Sequence, residues 1–418
     1  MAADGEPSQR SLTRDPDFMK FWVGQSVAVF GAQFSPIAIQ FIAVITLKVS
    51  PLQLGILGFL NTAPFLFLGL LVGVWLDRHS RRRTLLAADF GRSLVLLCIP
   101  LSFLLYTVTL SLLYLVTLAA GVLTVFFEIG YQSYVPSLVD KPKLVEANGK
   151  LEATRSLSQA LGPTVAGGVC SVIAYPLAVL GDTLGYCASW VSLALIRRPE
   201  GAPPTARRSA WVEIREGLSL VYGNRFLRAI AGTNATVNFF SAAFFVLLTK
   251  FFLDDLGMTT LEVGLVFGVG SLGGVLGAVL AMRVVKRAGV GRSIVIGALV
   301  FSLLSTCFYL VVPANGVLVN VAVSSAILFF SFVGVLVYNI TQVSYRQALV
   351  GPSMQGRMNA TMRTLVWGVI PLGNLAGGAV AEVLGVRETV VLMAFLIVLS
   401  PLWVLLSPVR KVRDFPEA

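Results

Sequence analysis

Two windows of this chain, 52–76 and 93–127, contain no Asp, Glu, Lys or Arg. Each exceeds the roughly 20 apolar residues that carry an α-helix across a bilayer. Composition points the same way: 56% of the 418 residues are hydrophobic and 13% are charged, where soluble domains carry about a quarter charged residues. A water-soluble fold of this size has nowhere to hide so much apolar surface, so the chain reads as an all-α membrane protein. The stretch from Met1 to Lys20 is polar and charged, with no short apolar core and small-residue cleavage site after it, so no removable signal peptide is expected.

Hydropathy and chain breakers predict twelve helices, near 20–47, 52–76, 84–106, 110–134, 150–172, 175–196, 227–253, 260–283, 292–312, 317–345, 358–382 and 386–407. Ser50-Pro51, Tyr175-Pro176, Pro313 to Gly316 and Gly351-Pro352 punctuate the joints. An even number of spans puts both termini on one side. Lys and Arg gather in short cytoplasmic loops, and on this map only Lys48, Lys250 and Arg387 of the 32 basic residues sit at outer ends, which assigns both termini to the cytoplasm. The net charge of +11 then needs no nucleic acid, because the anionic inner leaflet accounts for it. The domain layout follows: a tail 1–19, a six-helix bundle 20–196, a polar linker 197–226, a second six-helix bundle 227–407 and a tail 408–418. Within the linker, Trp211 to Tyr222 fits either a short amphipathic helix on the membrane surface or a plain flexible connection. Cys98, Cys170, Cys187 and Cys307 fall singly in apolar segments and read as packing residues, with no metal or cofactor implied.

The two bundles echo one another at a spacing near 210 residues. Leu52-Gln53-Leu54-Gly55 matches Leu261-Glu262-Val263-Gly264, Ala166-Gly167-Gly168 matches Ala376-Gly377-Gly378, and Asn148 finds Asn359. Parallel repeats of this kind belong to transporters that rock two halves about a central site. After helix 2 comes Gly73-Val74-Trp75-Leu76-Asp77-Arg78-His79-Ser80-Arg81-Arg82-Arg83. It resembles the signature loop of the major facilitator superfamily, with Ser80 in place of the usual Gly. Gly69 and Gly73 form a small-residue face for close approach to a neighbouring helix. Asp77, Arg78 and Arg81 are candidate gating residues at the interface between halves, the alternative being a basic loop that only sets topology. The second-half counterpart keeps Gly273, Gly277, Arg283, Lys286 and Arg287 but has Ala281 where the acid belongs, so any ionic latch is asymmetric.

A narrower resemblance rests on Phe126-Phe127-Glu128, on Tyr131 to Val139, on Glu146-Ala147-Asn148, Gly162-Pro163 and Asp89-Phe90-Gly91-Arg92. Together these are similar to the macrolide-efflux and enterobactin-exporter branch of that superfamily. The resemblance implies export of drug-like or siderophore-like molecules by proton antiport, in a monomer of the plasma membrane of a bacterium. Gly162 to Gly168 is also similar to the Gly-Pro and Gly-Gly pattern of antiporters. Proline and glycine there give a pliant, close crossing.

Glu128 is the leading proton-coupling candidate. A carboxylate at membrane depth is expensive enough to mark a functional site, and Gly121, Thr124, Glu128 and Gln132 recur at helical spacing on one polar stripe. The alternative is a structural pair with Arg92 or Arg155, and a pair broken by protonation is itself a switch. Asp182 in helix 6 is a second proton candidate, expected nearer the outer face, with hydrogen bonding to backbone or Ser and Thr neighbours as its alternative. Asp89, Arg92, Glu152, Arg155, Arg346 and Arg363 are expected at inner helix ends, as snorkelling side chains or gating pairs; Arg92 and Arg155 are taken as gating candidates. For substrate, the resemblance points to a cavity lined by helices 1, 4, 7 and 10. Candidates on those helices are Gln33, Gln40, Tyr131, Gln132, Asn234, Asn238, Tyr338 and Gln342, with Phe30, Ile37, Phe245 and Tyr345 beside them. Aromatics with a few amides suit bulky amphipathic ligands.

Three functions remain on these grounds. The first is a proton-coupled exporter of hydrophobic or amphipathic compounds. The second is a facilitator or importer of a small metabolite in the same fold, for which mid-membrane polar coordination is sparse. The third, a non-transporting receptor or a lipid enzyme, finds no nucleophile with a buried His, no metal cluster and no phosphate loop in the sequence.

Overall fold

The structure, a computed structural model, describes residues 12–76, 78–140, 143–198, 210–350 and 352–415. The chain is helical throughout these, with no strand among them. In the first series α1 runs Pro16–Thr46, α2 Pro51–Leu76, α3 Arg81–Leu105, α4 Leu110–Leu138, α5 Leu144–Val172 and α6 Tyr175–Ala194. The second series is α7 Arg225–Asp255, α8 Thr260–Ala288, α9 Val290–Leu310, α10 Val317–Leu349, α11 in two segments, Pro352–Trp367 and Ile370–Leu384, and α12 Val386–Leu405. Eleven of these are long and apolar enough to cross a membrane. The exception is α5, whose first half carries Glu146, Lys150, Glu152 and Arg155 and so dilutes its hydropathy below a spanning helix.

Prolines place the breaks. Pro36 lacks an N–H and its ring crowds the carbonyl four residues back, so α1 is interrupted at Ala32-Gln33 and resumes at Phe34. Pro371 does the same in α11 after Trp367. Between the series, Ala210–Gly223 forms a helix, and its Val221 is buried with Leu227, Met358 and Met362 on the first segment of α11. Of the four cysteines read as packing residues, Cys170 is buried and Cys307 half-buried, whereas Cys98 and Cys187 are exposed, which corrects the reading for those two.

The repeat extends to backbone detail. Both α1 and α7 end in a wide turn closed by i→i+5 bonds, Leu47 N to Ile42 O at 2.9 Å and Leu256 N to Phe251 O at 3.2 Å. In each, the next residue but one bonds back again, Val49 N to Ala43 O at 3.0 Å and Met258 N to Phe252 O at 2.9 Å. Such turns are rare in helices, and equivalent placement in the two series marks a duplicated unit.

Helices of the first series pack mainly among themselves, as α1 with α6 and α3 with α4, and those of the second likewise, as α8 with α10 and α9 with α10; α5–α8 and α2–α11 are the main crossings between them. Both crossings are tightest at the end of the bundle away from the termini. There a Cβ on Gly264 would stand 2.9 Å from Gly167 Cα and from Pro163 O, and one on Gly378 would stand 2.8 Å from Gly55 Cα. Only glycine lets these backbones touch. The glycines in contact are the ones whose motifs echo in sequence, related by the repeat to within one residue.

The cores follow the same division. At the end away from the termini one apolar cluster joins both series, with Phe41, Ile42 and Leu54 alongside Phe244, Phe251 and Val263. Toward the termini the cores are separate: Phe18, Phe21, Leu85, Phe127 and Leu193 in the first series, Ile230, Ile294, Tyr345 and Val404 in the second. No described atom lies within 4 Å of where a Cβ would stand on Gly69, Gly73 or Gly149. The bundle is thus sealed at one end and parted at the other. The close approach expected at Gly69 and Gly73 is not made here, whereas their counterparts Gly273 and Gly277 press against the α10 backbone at Phe329 and Val333.

Candidate functional site

Three cavities occupy the cleft between the two series. One of about 580 Å³ is walled mainly by α1, α2, α3, α4 and α6 with α7 and α11 closing it, one of about 530 Å³ by α7, α9, α10, α11 and Ser400 of α12, and one of about 710 Å³ by α1, α5, α7, α8 and α10. Phe245 on α7 lines all three. The lining thus draws on more helices than the expected set of 1, 4, 7 and 10.

Of the α4 stripe, Gly121, Thr124 and Glu128 line the first-series cavity, while Gln132 lines none of the three. A Cβ on Gly121 would stand 2.8 Å from the α2 carbonyl of Asn61, so glycine lets α4 lie close to α2 here. Glu128 is half-buried and makes no ion pair within 4 Å among the described residues. Across the cleft Arg363 of α11 donates to Gln132 Oε1 at 3.3 Å, one turn along from Glu128. Arg363 also lies over the rings of Trp367 and Phe65, at 5.0 and 5.9 Å.

Arg92 is not the partner of Glu128. It forms a buried ion pair with Asp89, and its guanidinium is sandwiched between Phe127 and Tyr186, 4.0 and 3.9 Å from the ring centres. Asp89 Oδ2 accepts from Ser189 Oγ at 2.5 Å, and Ser189 accepts from Gln25 Nε2 at 2.7 Å. Asp182 is also buried, facing Arg92, Ser35 and Tyr186 on the wall of the same cavity, with Oδ1 lacking a hydrogen bond. Asp89 and Arg92, expected as snorkelling groups at a helix end, are instead sealed between α1, α3, α4 and α6. Their i,i+3 spacing was visible in the sequence; that this face of α3 meets α6 was not.

In the second-series cavity the amides assemble as expected. Asn234, Asn238, Tyr338 and Gln342 line it together, joined by Asn339, Asn359, Arg346 and Arg363. Asn238 Nδ2 donates to Val366 O at 2.9 Å. Gln33 and Gln40 line the third cavity. Gln40 also accepts a hydrogen bond from Thr249 of α7, tying the two series together. Tyr131 lines none of the three, stacking instead on Phe21 and Phe127. The series are further joined by Asn374 Nδ2 to Gly58 O at 3.0 Å and Leu52 N to Glu382 Oε2 at 3.0 Å, contacts with no sequence signal.

Asp77 lies outside the described residues. Arg78 is exposed. Arg81 donates to Ser133 O at 3.2 Å, and Arg82 to Leu193 O and Ala194 O at 3.1 and 3.0 Å. These bonds of Arg81 and Arg82 are to first-series carbonyls near helix C-termini, where the helix dipole favours cations. Arg155 is exposed in the parted end of the cleft.

The sequence profile of the Major Facilitator Superfamily matches residues 21–373. The chain is 26% identical over 381 residues to the multidrug efflux pump Tap of Mycobacterium tuberculosis, covering 88% of each. It is 24% identical over 394 residues to macrolide efflux protein A of Streptococcus pyogenes, covering 91% of this chain and 93% of that one. A bacterial homologue of the iron transporter ferroportin in an inward-facing state superposes with a TM-score of 0.72 over 95% of this chain and 99% of that one, at 18% identity. A profile that spans most of the chain, on a fold of this kind, places it: the chain belongs to the Major Facilitator Superfamily, a multi-pass transporter of the bacterial plasma membrane rather than an enzyme.

Proposed function

We propose that this transporter is a proton-coupled exporter of hydrophobic or amphipathic compounds, working by alternating access between two six-helix halves, with α5 as the twelfth span and both termini in the cytoplasm. The observation that carries the reading is Glu128, a carboxylate without an ion-pair partner among the described residues, on the wall of an aromatic and amide-lined cleft and across it from Arg363. The names of the relatives, a multidrug pump and a macrolide efflux protein, favour export. The basic residues favour the orientation: two of the three expected at outer ends are neutralised locally, as Lys250–Asp254 at 2.7 Å and Arg387–Glu388 at 4.0 Å. With that orientation the seal at Gly264–Gly167 and Gly378–Gly55 is external, and the parted end opens to the cytoplasm.

Coupling follows from electrostatics across the cleft. Ionised Glu128 attracts Arg363 and so draws α4 and α11 together; a proton on Glu128 removes that attraction. A ligand or proton shifts a two-state equilibrium by its differential interaction with the two states, and here the charge on Glu128 differs in its interaction with the opposite half. The energy is sufficient: one elementary charge crossing ~150 mV supplies roughly 3.5 kcal/mol, a concentration ratio of about 300-fold.

The test is efflux by the purified protein in liposomes under an imposed pH gradient, with a panel of dyes, antibiotics and siderophores. Glu128→Gln is expected to abolish pH-driven accumulation while leaving the protein folded. Wild-type rates against a gradient in that variant would remove the coupling role.

A further inference from the structure

The second-series cavity has a charge character unlike its neighbour. Its described lining includes two arginines, Arg346 and Arg363, and no Asp or Glu, whereas the first-series cavity holds Glu128 and Asp182 with Arg92. Arg363 is partly committed to Gln132 and to aromatic rings. Arg346 is 8% exposed, has no ion pair among the described residues, and its Nε has no hydrogen-bond acceptor. A buried cation without a counter-charge is costly in a folded protein.

Arg346 also stands in a row. Tyr338, Gln342 and Arg346 are four residues apart on α10, hence on one helix face, and all three are more than nine-tenths buried. Each has an orphaned polar atom: the Tyr338 hydroxyl, which lies near Thr233 without hydrogen-bond geometry, the Gln342 Oε1 and the Arg346 Nε. Buried polar atoms in native proteins are normally satisfied. Tyr338, Gln342 and Arg346 thus place a row of polar groups on one face, all lining one drug-sized cavity beside Phe245, Phe332 and Trp367.

We infer that this cavity is the binding site of an aromatic organic anion, its carboxylate held by Arg346 at the parted end of the cleft and its body laid along Gln342 and Tyr338 against the aromatic wall. A guanidinium presents paired donors that match a carboxylate. Gln342 Oε1 asks for a donor on the ligand, such as a hydroxyl or amide N–H. The row spans eight residues, about 12 Å at 1.5 Å per residue, which suits an elongated molecule with the acid at one end. The assignment names a substrate class for the proposed exporter and rests on that reading only for what becomes of the ligand; binding itself does not depend on it.

Equilibrium dialysis of the full-length protein in a neutral detergent tests it with three probes of one ring system: 2-naphthoate, 2-naphthamide and 2-naphthylmethylammonium. Naphthoate is expected to bind at least ten-fold more tightly than the other two. Arg346→Gln is expected to reduce that preference to within two-fold without weakening the amide, which serves as the check that the cavity is intact, and Arg346→Lys is expected to keep part of it. Removing an unpaired buried cation should leave thermal stability unchanged or raised. Equal or tighter binding of the ammonium probe, or a naphthoate preference that survives Arg346→Gln, overturns the assignment. Proteoliposomes separate the two claims: a naphthoate preference lost in Arg346→Gln, with no probe moved by a pH gradient, sinks the exporter reading and leaves the site, whereas pH-driven export of a cationic dye with no naphthoate preference does the reverse.

Discussion

Replacing Gly264 by alanine puts a methyl carbon 2.9 Å from both Gly167 Cα and Pro163 O, where ordinary contact begins near 3.4 Å. The atoms it meets are backbone, so no rotamer change relieves the clash and α5 and α8 must separate. Overpacking of this kind costs about 1–3 kcal/mol. In a transporter that alternates, the cost falls only on the conformer in which these helices touch; the conformer parted at this end escapes it. The substitution therefore shifts the equilibrium between conformers by roughly 5- to 150-fold, the range that 1–3 kcal/mol spans. Spin labels at Tyr106 and Leu318, 90% and 82% exposed at the sealed end and in opposite halves, read the separation without disturbing the interface. Electron–electron resonance on the wild type should give mainly a short distance, with a second, longer population rising in Gly264→Ala and rising further when Gly378→Ala is added. A lowered melting temperature with an unchanged distance distribution would refute the reasoning, because the glycine would then serve packing in every conformer alike.

Gly73→Ala should act in the opposite sense: nothing described lies within 4 Å of the new methyl, so melting is unaffected, while export slows if the other conformer brings α2 against a neighbour there; an unaltered turnover number removes Gly73 from gating. Asp89→Asn breaks the buried pair with Arg92 but leaves Asp182 facing that guanidinium, and should destabilise by about 3 kcal/mol, the low end of the cost of breaking a buried pair, read from thermal unfolding in detergent. Thr249→Val breaks the bond to Gln40 across the sealed end and should cost that conformer about 0.5–1.5 kcal/mol, seen in the same distance measurement. At the membrane surface the Arg198 guanidinium, 2.7 Å from Asp140, holds that carboxyl below the usual carboxylate range. A depressed folded value means the contribution is present above the unfolded value of about 3.9 and lost as pH falls through the folded one, so the melting difference between wild type and Asp140→Asn should narrow steadily below about pH 4.

Helices and their order were legible because a bilayer imposes a length and an apolarity that composition displays directly. The repeat was legible too, as Gly55, Gly264, Gly167 and Gly378, since two backbones can touch only where a side chain is missing. The site was legible in part. Glu128 and Asp182 stood out as carboxylates in apolar sequence, and both line one cavity. Asn234, Asn238, Tyr338 and Gln342 stood on two helices with the right spacing and converge on another. Tyr131 shared their residue type but faces Phe21, because helical spacing gives a face and not the neighbour that face meets. Arg346 reads in sequence as a snorkelling side chain or one of a gating pair near a helix end, since an arginine there is usually solvated, and only the tertiary structure puts it, largely buried, on a cavity wall whose described lining holds no acid.

Hydropathy, charge and the glycine motifs by themselves determined a duplicated helical membrane bundle with a basic face and a short list of intramembrane polar residues, because each of these is a property of one segment in one solvent. Pairing is a property of two segments. That Arg92 is taken by Asp89 while Arg363 reaches across to Gln132 one turn from Glu128, that the halves seal at Gly264–Gly167 and part at Gly73, and that one cavity is cationic and the other carries two carboxylates, were all decided by how helices far apart in sequence lie together. The strength of a charge interaction in a low-dielectric interior varies inversely with distance, and only the tertiary structure sets those distances.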